Sequence, residues 1–134
     1  MAMKVWILIF SIFLLGCKKN REISNLKDQV TGTWEVEKSI YPDTIRNFPP
    51  GNGNIMVLKN NYVFERRKHD TIVFKGKYTL NYKKDCYPGD SDIVFSTNEN
   101  SYNIFYIDIV DGKLLLYTPN CYLDGGIGYY RRLQ

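Results

Sequence analysis

Histidine, cysteine and long apolar segments are scarce in this chain of 134 residues, and each scarcity excludes a class of function. One histidine and three cysteines, with no Cys-x-x-Cys pair, cannot form a thiol redox motif or a four-ligand zinc site without carboxylates. No serine or cysteine lies in the motif of an activated nucleophile. The apolar run from Val5 to Leu15 covers about 11 residues, too few to cross a bilayer as a helix. We therefore expect no catalytic residue, no metal and no cofactor.

Charge of one sign is not concentrated in any segment either. The net charge is +4, and cationic side chains are interleaved with acidic ones, as in residues 65–70. Nucleic-acid binders usually gather basic residues on one face, so we expect no nucleic-acid partner. Groups with catalytic chemistry are expected in solvent-exposed settings: His69 in a surface turn beside Asp70, and Glu35 with Glu37 on the solvent face of a strand.

The N-terminal segment carries the most specific pattern in the chain. Lys4 precedes the apolar run, and a basic start, a short apolar middle and a small residue at the end describe a secretory signal peptide, here residues 1–16. The ending Leu14-Leu15-Gly16-Cys17 resembles the lipobox of bacterial lipoproteins. The resemblance implies cleavage before Cys17, lipid on its sulfur and an acyl chain, such as palmitate, on the new amino group.

A lipobox also implies a location. The protein is expected to be exported and lipid-anchored to a bacterial membrane through Cys17. The basic residues that follow Cys17 differ from the acidic surface-export tags of some such lipoproteins, which favours the outer membrane and its periplasmic face. Residues 17–30 are predicted to be a lipidated, polar tether in which Ser24 caps a short helix ending at Gln29.

Residues 31–134 are predicted to form one domain of strands and turns. The clearest strand is 71–82, where Ile72, Phe74, Tyr78 and Leu80 share one parity, with a bulge or bend expected at Gly76. Eight strands are predicted, and no segment between them has the helical period or length that a parallel crossover needs. The predicted fold class is therefore all-β, an eight-stranded antiparallel up-and-down barrel. The proline- and glycine-rich segment 41–54 is predicted to be a long loop, serving as a lid or lying on the surface.

Three short motifs in their order along the chain resemble the lipocalins, and more closely the lipocalin-like lipoproteins of Gram-negative bacteria. They are Gly32-x-Trp34 on the first strand, Gly76-Lys77-Tyr78, and Tyr130-Arg131-Arg132 on the last strand. The resemblance implies that an arginine of the last strand stacks on Trp34. If Tyr130 points inward, period two makes Arg132 that partner and turns Arg131 to solvent, where its truncation would be nearly neutral.

The barrel leaves two functions open, because eight strands enclose either a filled core or room for one small ligand. The first function is that of a carrier of a small apolar ligand, and the alternative is a protein-interaction or inhibitor module with a filled core. A cavity above ~300 Å³ would favour the carrier. A monomer is expected in either case. The predicted core or ligand-lining side chains are Trp34, Phe64, Phe74, Tyr78, Leu80, Phe105, Ile107 and Tyr130.

The cysteines beyond Cys17 pose a conflict. Cys86 and Cys121 form an even pair in an oxidising compartment, which suggests a disulfide. Three predicted strands lie between them, so an up-and-down barrel places their loops at opposite ends, farther apart than a disulfide spans. The bond then requires a different strand count or a loop folded along the barrel wall.

Overall fold

The computed structural model of the chain describes residues 18–84, 91–97, 104–118 and 125–133. Cys17, Cys86 and Cys121 lie outside these residues, so the lipidation and the disulfide stay predictions. Residues 18–30 form a helix, α1, and nine strands follow it. The strands are β1 (Gly32–Tyr41), β2 (Thr44–Asn47), β3 (Asn54–Leu58), β4 (Val63–Lys68), β5 (Thr71–Lys84), β6 (Ser91–Thr97), β7 (Ile104–Val110), β8 (Lys113–Tyr117) and β9 (Ile127–Leu133).

Eight of these strands close into an antiparallel barrel, which confirms the predicted fold class. Each of β3 to β8 pairs with the next strand in sequence, and β1 pairs with both β3 and β9. The turn between β7 and β8 has positive φ at both Asp111 (51°) and Gly112 (72°), which is the geometry of a type I′ hairpin. Among the described strands, the closed ring leaves β2 alone outside the barrel.

β2 corrects the prediction that residues 41–54 form a loop throughout. Tyr41 pairs with Thr44 across a two-residue turn of Pro42 and Asp43, and β2 then runs antiparallel to the end of β1. Proline and aspartate favour such turns, so Pro42 and Asp43 indicate a tight turn between two strands and not the start of a long loop. All four residues of β2 are exposed, which explains why no alternating pattern revealed it.

The two ends of the barrel differ. We name the end where β1 begins at Gly32 the closed end, because α1 lies there, and the end where β1 finishes at Tyr41 the open end. β5 finishes and β6 begins at the closed end, whereas β8 finishes and β9 begins at the open end. The strand termini that precede and follow Cys86 thus lie at one end of the barrel, and those that precede and follow Cys121 lie at the other end. This arrangement agrees with the topological argument against the disulfide.

Helix α1 packs against the barrel core and is not a polar tether. Its apolar residues Ile23, Leu26 and Val30 lie at spacings of three and four, so they share one face. Val30 is fully buried, and Ile23 and Leu26 pack against the same core cluster. Ser24 lies within the helix and is exposed, so the cap predicted there is wrong. In the described part of the chain no helix is both long and apolar enough to span a bilayer.

Trp34 and Arg132 join the first and last strands and hold the end of α1. The guanidinium carbon of Arg132 lies 4.4 Å from the Trp34 ring centroid, and the two residues pair directly in the sheet. The Trp34 indole donates a hydrogen bond to the Val30 carbonyl at 2.7 Å, and Arg132 donates to the carbonyls of Gln29 and Thr31. The last carbonyls of a helix lack internal partners and favour a nearby cation, so this pair caps α1.

The stack of Arg132 on Trp34 explains why glycine occupies position 32 of the Gly-x-Trp motif. Its φ is +151°, a conformation that other residues rarely adopt. A β-carbon at this position would also lie 2.9 Å from Nη1 of Arg132. Any side chain here would therefore displace the guanidinium from Trp34.

A bulge in β5 corrects the predicted facing of Ile72. Arg66 pairs with Phe74 and Arg67 with Ile72, so Val73 is an extra residue and the parity changes there. Ile72 is consequently 48% exposed, whereas Tyr78 and Leu80 are buried as predicted and Phe74 is partly buried. Gly76, where the bulge was predicted, pairs regularly with Phe64.

Glu35 is buried on the outer wall of the barrel, so its predicted exposure is wrong. Its carboxylate accepts hydrogen bonds from the backbone of Gly51 at 3.0 Å and Gly53 at 3.1 Å, and Nε of Arg131 lies 3.6 Å away. Arg131 also donates to the carbonyl of Phe48 at 2.6 Å. Segment 48–53 is thereby fastened over β1, and it covers the carboxylate that the alternating pattern assigned to solvent.

A second carboxylate, Glu65, is buried beneath cationic side chains on the outer face of β4. Lys59 and Arg67 each contact it at 2.6 Å, and Lys75 lies 3.8 Å away. The hydrogen bonds from Lys59 and Arg67 lower the pKa of Glu65 to about 2. Of the described residues, both buried carboxylates, Glu35 and Glu65, thus lie on the outside of the wall, where backbone amides or cationic side chains contact them.

Both arginines of β9, Arg131 and Arg132, are expected to contribute to stability. Arg132→Ala removes the stack and the cap, at a cost of about 1–2 kcal/mol. Arg131→Ala removes the cation that lies beside buried Glu35 and the donor to the Phe48 carbonyl. We expect this to cost about 1–3 kcal/mol, which corrects the near-neutral expectation. Denaturant unfolding measures both, with the exposed Arg46→Ala as the control. An Arg131→Ala protein as stable as the control would contradict the role assigned to this side chain.

Acid should weaken the fold through Glu65. Its folded pKa of about 2 lies below the ordinary 4.5, so its stabilisation is complete above pH 4.5 and is lost as the pH falls toward 2. Unfolding free energies of the wild type and of Glu65→Gln should therefore converge over this interval. Exposed Asp43→Asn is the matched control, and its difference from the wild type should show no comparable change. If the difference in unfolding free energy between the wild type and Glu65→Gln stays constant with pH, the lowered pKa of Glu65 does not contribute to stability as proposed.

Candidate functional site: a cavity at the open end

Side-chain size divides the barrel interior into two halves. The closed half holds large, fully buried side chains such as Trp34, Tyr78 and Leu58. Toward the open end the inward positions carry small residues, among them Ser39, Thr97 and Gly128, whereas α1, the helix of the described residues, lies at the other end. The small side chains leave a cavity of about 780 Å³ that opens to solvent.

The cavity has an apolar floor and a mixed rim. Its deeper wall is lined by Val36, Met56, Phe64, Phe95, Leu116 and Tyr130. Its rim includes Tyr41, Asn54, Arg66, Lys68, Val73 and Thr118. Small-molecule sites in proteins typically combine such an apolar lining with a few polar groups.

Aromatic contacts form the floor. The Phe64 ring lies with its centroid 5.8 Å from that of Phe95 in an edge-to-face arrangement, and 5.7 Å from that of Phe74. Phe95 in turn contacts Tyr78, with centroids 5.6 Å apart. These rings separate the cavity from the filled half of the barrel, so a ligand can enter only part of the interior.

Tyr130 supplies the main polar group of the deeper wall. Its ring lies over Gly128, where a β-carbon would approach within 3.0 Å of it, so any larger residue at position 128 would shift the ring. Burial raises the pKa of the Tyr130 hydroxyl, and the neighbouring Tyr41 adds to the effect. The phenol therefore stays neutral at physiological pH and can donate a hydrogen bond inside the cavity.

The rim exposes apolar surface beside basic groups. Tyr41 is 52% exposed and packs on Gly126, and Val73 is 56% exposed. Lys68 donates to the side chain of Asn54 at 2.8 Å, which fixes the ammonium group at the edge of the cavity. A molecule at the mouth would meet both apolar side chains and a positive charge.

The residues predicted as core or ligand-lining separate into two groups. Phe64, Phe105 and Tyr130 line the cavity, and Phe74 packs behind Phe64. The other predicted side chains are buried away from the cavity: Trp34, Tyr78, Leu80 and Ile107. Sequence reasoning missed the small cavity residues, because a search for bulky inward side chains passes over the positions that create space.

The groups considered for catalysis have structural roles. His69 is exposed in a turn with φ of +52°, and its backbone N–H donates to the carbonyl of Gly53 at 2.6 Å. Glu35 is held by backbone amides, and Glu37 bonds Lys113 at 2.6 Å. Within the described ranges no three His, Cys, Asp or Glu side chains are grouped to hold a metal ion.

Comparison with known proteins adds no further assignment. Models of protein families, the curated proteins and the solved structures were each compared with the chain, and none gives a match.

Proposed function

We propose that this protein is a lipid-anchored lipoprotein whose lipocalin-like barrel binds a small apolar ligand. One observation carries the proposal, namely the cavity of about 780 Å³ at the open end. Its volume falls within the range of about 300–1,000 Å³ that is usual for small-molecule sites. The apolar floor favours burial of hydrocarbon, and the neutral Tyr130 hydroxyl offers one hydrogen bond to orient the ligand.

The proposal also covers location and chemistry. The lipobox supports export and a lipid anchor at Cys17, and the basic residues that follow Cys17 favour the periplasmic face of the outer membrane. The protein acts as a monomeric binding protein and not as an enzyme, and it has no nucleic-acid partner. The Cys86–Cys121 disulfide is retained as a minor part of the proposal, since compartment and cysteine parity favour it while the strand topology opposes it.

An interaction module is the second candidate, favoured by exposed apolar side chains near the mouth. Ile45 on β2 is 62% exposed and Tyr41 is 52% exposed. Exposed aromatic and aliphatic side chains of this kind often mark contact surfaces. In this function a protein segment would contact the rim, and the cavity would remain without a small ligand.

A fluorescent apolar probe tests the carrier function. N-phenyl-1-naphthylamine should bind the protein saturably with increased emission, because the cavity removes it from water. Ser39→Phe places a ring in the cavity, and we expect its affinity to fall roughly tenfold, or about 1.4 kcal/mol. Lys38→Phe is the control, since it adds the same ring at the neighbouring position outside the cavity lining. Absence of probe binding to the wild type, or equal binding by both variants, would favour the interaction module.

Intact-mass measurement of the membrane fraction tests the anchor. The mature protein should begin at Cys17 and carry the added mass of its acyl chains, which stabilise membrane binding by ~0.8 kcal/mol per buried CH₂. Cys17→Ser should be unlipidated and should no longer be held in the membrane fraction by acyl chains. Detection of an unmodified wild-type Cys17 refutes this part of the proposal.

A further inference from the structure

Helix α1 joins the proposed lipid anchor directly to the barrel. Its described residues begin at Lys18, the residue after Cys17, and continue to residue 30, where β1 follows within two residues. A 13-residue helix is about 20 Å long, so α1 extends across the closed end. The chain between the anchor and the barrel is therefore this helix and contains no flexible linker.

The N-terminal part of α1 is fastened to β5. The ammonium group of Lys19 lies 5.4 Å from the centroid of the Tyr82 ring, and the Tyr82 hydroxyl donates a hydrogen bond to Glu22. This bond raises the pKa of Tyr82 to about 12, so the hydroxyl keeps its proton and the contact persists at physiological pH. Tyr82 lies near the closed-end terminus of β5, which places the start of α1 at the closed end as well.

The C-terminal half of α1 is fastened independently. Lys27 lies 4.2 Å from the Tyr62 ring centroid, and the stack of Arg132 on Trp34 caps the last turn. Ile23 and Leu26 pack against the core between these two attachments. A helix held at both ends and along its apolar face cannot swing as a hinge without breaking these contacts.

The outward face of α1 is polar, and its charge is uneven. Lys18, Arg21, Asn25 and Asp28 recur at spacings of three and four on this face, and all of them are exposed. Lys18 and Arg21 occupy the part nearest Cys17, whereas Asp28 lies about two to three turns farther along the helix. Basic residues close to an anionic membrane contribute up to about 1 kcal/mol each.

We propose that α1 lies on the anionic lipid headgroups of the membrane that holds the anchor, with the closed end of the barrel facing that membrane. This proposal rests on the lipid anchor at Cys17. The cavity mouth is at the opposite end of the barrel and therefore points away from the anchoring membrane. The ligand then exchanges with the aqueous compartment or with a molecule across it, and not directly with the supporting bilayer.

Contact quenching tests this orientation in the lipidated full-length protein. The protein is reconstituted in vesicles of phosphatidylethanolamine and phosphatidylglycerol that carry a headgroup-linked quencher. One dye, attached through an azide-bearing amino acid, replaces either Asn25 on α1 or Asp70 in the open-end turn. The two positions are separated by roughly 20 Å, the rise of a six-residue strand, which exceeds the reach of contact quenching. The dye at Asn25 should be quenched several-fold more than the dye at Asp70.

Two alterations distinguish a fixed orientation from simple tethering. A Gly-Ser linker inserted between Cys17 and Lys18 should remove the difference between the two dyes while lipidation is kept. The double variant Lys18→Glu with Arg21→Glu should reduce quenching at Asn25, whereas Arg46→Glu on β2 should not. If the protein floats with the vesicles but quenching is equal at both positions or stronger at Asp70, the proposed orientation is overturned and the lipid anchor is not. Failure of the protein to float with vesicles overturns the anchor and, with it, the orientation.

Discussion

The stack of Arg132 on Trp34 is the interaction on which the rest of the structure depends. It joins the last strand to the first, so it lies at the seam where the sheet becomes a barrel. The same two side chains bond the final carbonyls of α1, which fixes the helix over one end. Loss of the stack would therefore loosen the barrel seam and the helix together, and the half of the barrel that encloses the cavity would lose its support.

The buried carboxylates and the cavity lie on opposite sides of the barrel wall. The buried carboxylates Glu35 and Glu65 both lie outside the barrel, where backbone amides and cations compensate them. The interior is left to apolar side chains, apart from hydroxyl and amide groups and the cationic side chains of Arg66 and Lys68 toward the open end. Buried charge that needs several partners would occupy interior volume, so its placement outside leaves the cavity available to a neutral or largely apolar ligand.

Period-two alternation predicted the barrel strands because a strand with one buried face must alternate. Alternation predicted the wrong facing where an extra residue interrupts the period. It predicted the wrong exposure where a segment distant in sequence covers a side chain. The extra residue Val73 turned Ile72 outward, and segment 48–53 covered Glu35, an effect of chain folding that local pattern does not contain. The amphipathic spacing of Ile23, Leu26 and Val30 was present in the sequence but was outweighed by the polar composition around it. The cavity was not predictable, because it depends on which small residues converge from several strands.

β2 gives the protein the single free sheet edge of its described strands, since every strand of the barrel has two neighbours. An unpaired edge can recruit a strand of another chain, and Ile45 at 62% exposure would favour such an encounter. The edge is nevertheless only four residues long, and it carries the cationic side chain of Arg46. Pro49 and Pro50 follow it closely and have no N–H to donate, so a ladder begun on β2 cannot lengthen in that direction. The fold thus keeps its one open edge too short and too charged for self-association to propagate.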